Sequence, residues 1–221
     1  MWDIATVKRQ QKNLQKMVGI DMNETQNFKL LRLSGIPENL WNCTLERIPD
    51  TLAYKNVIED RLKELSKILA AGTGFYLWGE YGRGKSAIAA IFLMQVLALG
   101  KMGFWVNAKK IPQYAIEKTS WESQTIYERA MEVPLLVIDE FQIRPEIKFQ
   151  ESIVEDWVRE RIDAKRSTII TTNISPKQLE KSFPAMHNVV QEAMIPVWII
   201  GKDFRAEIGE QLNERRSHEG V

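Results

Sequence analysis

Residues 79–86 read Gly79-Glu80-Tyr81-Gly82-Arg83-Gly84-Lys85-Ser86. They fit G-x-x-x-x-G-K-[ST], a loop whose backbone N–H groups cradle phosphates. Before the loop runs Phe75-Tyr76-Leu77-Trp78, an apolar and aromatic run that predicts a buried strand. After it, residues 87–99 are rich in Ala and Leu and predict a buried helix that ends at Gly100. Glycines at 79, 82 and 84 let the backbone approach an anion closely, and a helix start presents partial positive charge to it. Lys85 is expected to reach the β- and γ-phosphates of a nucleotide, and the Ser86 hydroxyl to hold Mg²⁺. The full nucleotide-contacting set is read as Gly79, Glu80, Tyr81, Gly82, Arg83, Gly84, Lys85, Ser86 and Ala87. Glu80 and Arg83 are expected to face solvent.

Working outward, the chain has 221 residues, enough for one sizeable domain and a small appendage. A formal net charge of +1 gives no global basic field, so any nucleic-acid contact must come from a local patch. Cys43 is the single cysteine, which excludes an internal disulfide, and His187 and His218 are too few and too scattered for a metal cluster. No run of apolar residues reaches membrane-spanning length and no leader is visible, so a cytoplasmic protein without membrane partners is expected.

Residues 1–18 carry an imperfect amphipathic pattern, from Trp2 and Ile4 to Met17 and Val18, with basic residues between. It predicts a helix that either packs on its own domain or docks a partner. Residues 20–50 hold the breakers Ser34-Gly35 and Ile36-Pro37 and read as loop. Helical spacing returns over 52–70. Strands are expected at 103–107, 134–140, 167–173 and 197–200, with helical stretches at 109–131, 146–166 and near 184–194. Alternating strands and helices predict an α/β parallel sheet, whose ligands bind at the strands' carboxyl ends.

The run Leu135-Leu136-Val137-Ile138 ends in Asp139-Glu140. Asp139 is expected to hold Mg²⁺ opposite Ser86, and Glu140 to orient or deprotonate an attacking water. Asn173 closes the next strand, where its amide is placed to meet that water or the γ-phosphate. A strand-end turn is the competing reading of each acid and of Asn173.

These motifs, with Ser34-Gly35-Ile36-Pro37-Glu38-Asn39-Leu40-Trp41 before the core and Lys202-Asp203-Phe204-Arg205 after it, resemble the AAA+ ATPases of the DnaC/DnaI helicase-loader group, with the transposition helper IstB as a related alternative. The resemblance implies a P-loop NTPase of AAA+/ASCE type with ATP/ADP and Mg²⁺ as ligands. It implies catalytic roles for Lys85, Glu140, Asn173 and Arg205, the last as a sensor-2-like arginine. It also implies a hexameric replicative helicase of DnaB type and single-stranded DNA as partners, with self-association in the helicase complex. The expected organisation is a docking extension at 1–33, a linker at 34–51, the ATPase core at 52–206 and a polar tail at 207–221. On the same resemblance the DNA-facing residues are Lys109, Lys110, Tyr114, Lys118 and Trp121, which offer charge and stacking surface. One departure stands out. No arginine occurs from Ser167 to Phe204, where the family carries an arginine finger, so slow turnover in isolation is expected, with a partner or one of Arg159, Arg161 and Arg166 to complete the site. A nucleotide-switched binding protein without productive turnover is the contrasting reading.

Overall fold

The computed structural model describes residues 24–49, 51–116, 121–143 and 148–201. The helix expected over 1–18, Lys118, Arg205 and the polar tail lie outside them.

Five strands form one sheet: β1 (Gly74–Trp78), β2 (Gly103–Asn107), β3 (Leu135–Phe141), β4 (Ser167–Thr172) and β5 (Met194–Trp198). Their order is β2-β3-β4-β1-β5 and every pairing is parallel. All carboxyl ends therefore share one edge. The chain is an α/β fold, a five-stranded parallel sheet with helices on both faces.

Alternate residues along each strand face opposite layers. Phe75 and Leu77 of β1 join one buried cluster with Trp105, Val137, Ile169 and Val197. Tyr76 joins the other, with Val106, Ile138 and Ile170. Helix α4 (Lys85–Ala98) fills the first layer and is buried almost all round, as its Ala/Leu/Ile composition demands. Helices α2 (Ala53–Lys63) and α3 (Leu65–Ala71) pack in the same layer. The second layer holds α5 (Ile111–Ile116), α6 (Trp121–Glu132), α7 (Lys148–Asp163), α8 (Pro176–Ser182) and α9 (Pro184–Ala193). No helix among the described residues is long and apolar enough to cross a membrane.

Helix α8 falls where no element was expected, the helical run at 52–70 is split into α2 and α3, and two further stretches differ from the sequence reading. Residues 20–50 are not uniformly loop: Glu24–Ser34 is helix α1, followed by short 3₁₀ turns at Glu38–Leu40 and Leu45–Arg47. Leu31, Ile36, Trp41 and Ile48 are buried in the same cluster as α4. Phe28 meets the Trp41 ring at 5.7 Å, and the Trp41 indole donates to Ile36 O at 2.8 Å. Burial of these apolar side chains holds the stretch down although its polar residues and breakers read as linker. The last strand begins at Met194, three residues before the expected start. Pro196 lacks an N–H, but β5 is an edge strand with one side unpaired, so the ladder tolerates it.

Candidate nucleotide site

The glycine loop of residues 79–84 leaves β1 at Trp78 and enters α4 at Lys85. Gly84 caps the helix with φ 85°, a left-handed conformation that a side chain resists. Gly79 has φ 149°, and a Cβ there would lie 2.3 Å from Ile199 O. The loop thus needs glycine at 79 to pass beneath the exit of β5. Lys85 is buried, and its ammonium donates to Gly79 O at 2.9 Å and to Glu80 O at 2.6 Å. The Tyr81 ring lies 5.9 Å from the same nitrogen, while Tyr81 itself is 61% exposed and accepts from Gln142 across the loop at 3.3 Å. Glu80 pairs with Arg83 at 2.6 Å; Glu80 faces solvent as expected, whereas Arg83 is half-buried.

The acids arrive from β3. Between Ile138 and Phe141 this strand advances three residues while β4 advances two, from Ile170 to Thr172. That is a β-bulge. It falls on Asp139-Glu140 and gives Glu140 a φ of 60°, a strained conformation for a residue with a Cβ. The bulge aims the two acids apart: Asp139 is buried, and the Glu140 side chain is 44% exposed. Ser86 Oγ donates to Asp139 Oδ1 at 2.8 Å, so the loop and the acid meet across 53 residues of sequence. Thr171 Oγ1 donates to the same oxygen at 2.5 Å. Burial raises the Asp139 pKa, and the bonds from Thr171 and Ser86 oppose that rise by favouring the carboxylate. A hydroxyl and a carboxylate side by side are hard oxygen donors that suit Mg²⁺. Among the described residues, no group of three His, Cys, Asp or Glu suggests another metal.

Glu140 turns toward β2. Its carboxylate accepts from Asn107 Nδ2 at 3.1 Å and from Lys109 Nζ at 3.0 Å. Asn107 is the residue in register with Asp139 and ends β2, while Lys109 sits in the 3₁₀ turn Ala108–Lys110. The sequence reading missed Asn107. Its signal was position: a strand-final amide one strand over from the acid pair.

Asn173 follows β4 and is half-buried. Tyr76 fixes its loop by donating to Ile174 O at 2.9 Å, and Ile174 N donates to Thr172 Oγ1 at 3.1 Å. Burial pushes the Tyr76 phenol pKa up, which keeps it a donor. The carboxyl edge therefore brings together Lys85, Ser86, Asp139, Glu140, Asn173, Asn107 and Lys109. Lys110 is exposed beside Lys109, whereas Tyr114 is half-buried against the second cluster; Trp121 begins α6.

The substitute arginines lie elsewhere. Arg161 is fully buried and donates to the carbonyls of Ala130, Met131, Val133 and Ser167 and to Thr168 Oγ1. Arg166 bonds Met131 O. Both serve the amino edge of the sheet, opposite the phosphate loop, and Arg161 has no freedom to reach a ligand. Arg159 is 45% exposed, paired with Glu155 at 2.6 Å and bonded to Ala185 O at 3.3 Å, next to the start of α9.

No protein-family model matches the chain. In sequence it is similar to the replicative helicase loader DnaC of Escherichia coli K12, 28% identical over 159 residues, covering 67% of this chain and 62% of that protein. It is also similar to the replicative helicase loader DnaI of Bacillus subtilis, 23% identical over 173 residues, covering 74% of this chain and 54% of that protein. The chain therefore spans less than two thirds of the length of these curated relatives. In fold it is similar to the crystal structure of the DnaC helicase loader, with a TM-score of 0.65 at 19% identity, over 74% of this chain and 100% of that one. The AMPPCP-bound structure of DnaA from Aquifex aeolicus matches at a TM-score of 0.60 and 17% identity, over 78% of this chain and 55% of that one.

Proposed function

We propose, with a DnaC-like AAA+ P-loop fold as the premise, that this protein binds and hydrolyses ATP and helps place a hexameric replicative helicase on single-stranded DNA. The observation that carries the reading is the Ser86–Asp139 bond at 2.8 Å, which joins the phosphate loop to the acid pair. In this reading residues 79–87 hold the nucleotide's phosphates. Lys85 exchanges the carbonyls of Gly79 and Glu80 for β- and γ-phosphate oxygens, a charge-assisted and therefore stronger bond. Ser86 and Asp139 would hold Mg²⁺, which when bound neutralises phosphate charge. Glu140 orients the attacking water and accepts its proton, for which its carboxylate must first leave Asn107 and Lys109. Asn173 positions that water or the γ-phosphate, and Arg205 contacts the nucleotide from beyond the described residues.

The extension at 1–33 is the docking element for the helicase. Lys109 and Lys110, with Lys118, Trp121 and Tyr114, contact single-stranded DNA. Self-association in the helicase complex sets a neighbour beside the nucleotide, and of the three substitute arginines the exposed Arg159 is the candidate to serve it. Agreement with replicative helicase loaders over most of the chain supports this reading. The tether on Glu140 favours a second one, a nucleotide-switched binding protein with no productive turnover. The test is to mix the full chain with a DnaB-type helicase and circular single-stranded DNA. ATP-dependent co-migration of all three supports the loader. Absence of any helicase complex, with or without nucleotide, sinks it.

A further inference from the structure

We infer that Thr171 is the positioning residue that sets the geometry of the acid pair, through one hydroxyl bonded to both acids. The inference rests on the nucleotide reading above and assigns a residue that reading did not need. Thr171 is the β4 residue between Ile170 and Thr172, the span against which β3 bulges. A bulge leaves a backbone group without its ladder partner. Here the group is the Glu140 N–H, and Thr171 Oγ1 accepts it at 3.0 Å. The same oxygen donates its proton to Asp139 Oδ1 at 2.5 Å. A hydroxyl has one proton to give and lone pairs to accept with, and both kinds of site are used. Asp139 Oδ1 thereby takes two hydroxyl donors, Thr171 from the sheet and Ser86 from the phosphate loop.

The side chain is almost fully buried, so water does not readily substitute for it. Two demands meet on this atom. Asp139 must be held where Ser86 can share a cation with it, and Glu140 must hold a left-handed backbone, φ 60°, that its Cβ disfavours. Valine has the same shape and neither bonding function, whereas serine keeps both. The sequence at this point, Thr171-Thr172-Asn173, draws attention to the asparagine, and nothing local marks the first threonine as different from the second.

The experiment compares the full-length wild type with Thr171→Val and Thr171→Ser. Hydrogen exchange reads the Glu140 amide, ATP binding is titrated with and without Mg²⁺, and turnover is measured with helicase and single-stranded DNA. Thr171→Val is expected to speed exchange of the Glu140 amide. It should leave magnesium-free ATP binding within about twofold while weakening the Mg²⁺-dependent gain and kcat by about ten- to a hundredfold, the range for removing a group that orients a metal ligand. KM for ATP in the presence of Mg²⁺ should rise in step with the lost Mg²⁺-dependent gain, and Thr171→Ser should restore exchange, Mg²⁺ response and kcat. Faster exchange with an unchanged Mg²⁺ response and kcat overturns the positioning role, as does a valine variant that matches wild type throughout. If wild-type protein binds no ATP, the nucleotide reading fails, and the positioning role fails with it; the exchange result then reports a structural bond alone.

Discussion

Two buried cations sit at opposite edges of the same sheet, and their carbonyl acceptors differ in kind. Lys85 at the carboxyl edge is held by the carbonyls of Gly79 and Glu80, both within its own loop. Arg161 at the amino edge is held by four carbonyls and a hydroxyl from α6, the turn after it and β4. The first set of bonds is local and exchangeable, because an incoming anion offers better acceptors than two loop carbonyls. The second ties three separate elements together and leaves the guanidinium no free direction. Burial alone therefore does not mark a functional cation. What separates the two is whether its acceptors can be replaced without opening the fold.

Removing Arg161 is the harshest way to test that distinction. Arg161→Met leaves several buried carbonyls without donors, and the expected loss is about 3–5 kcal/mol of folding stability, read by urea unfolding. A loss below about 1 kcal/mol would place Arg161 among ordinary surface arginines. Glu140→Gln removes the carboxylate's charge and keeps its shape: turnover is expected to fall by about a hundredfold or more while ATP binding persists. Lys85→Ala should weaken ATP binding by about ten- to a hundredfold, the worth of one charge-assisted bond, and change the unfolding free energy by less than about 1 kcal/mol. Equal stability losses at Lys85 and Arg161 would erase the contrast.

The mildest probe is Cys43, in the stretch that packs on α4. Burial pushes its thiol from 9.0 up to about 11, with Arg47 opposing. The folded state then holds the thiol proton more tightly than the unfolded state. The stability this contributes is present below pH 9 and lost as pH rises toward 11. At pH 8 the thiol should react with iodoacetamide far more slowly in the folded protein than in urea.

The sheet and the phosphate loop were legible because their signals are local. An apolar run, a glycine pattern and a helix start lie within a few residues of one another, and Pro134 to Glu140 spells out a buried strand with its acids attached. What stayed hidden joins residues remote in sequence. Asn107 meets Glu140 across 33 residues, Thr171 meets Asp139 across 32, and Arg161 meets Ala130 across 31. Arg161 shows the consequence: on a charge-rich helix it reads as one arginine among several, and only the fold closes five acceptors around it. Helix α1 was missed for a related reason. Its polar residues and the Ser34-Gly35 break suggest loop, whereas Leu31 and Ile36 are captured by a core assembled from the rest of the chain.

The most direct measurement is ATP turnover by the full chain, alone and then with single-stranded DNA and a DnaB-type helicase, with Glu140→Gln as control. The account predicts slow turnover alone, a clear rise when both partners are present, and loss of that rise in the variant. Tight ATP binding with no Glu140-dependent turnover under any condition would contradict it and leave a nucleotide-switched binding protein.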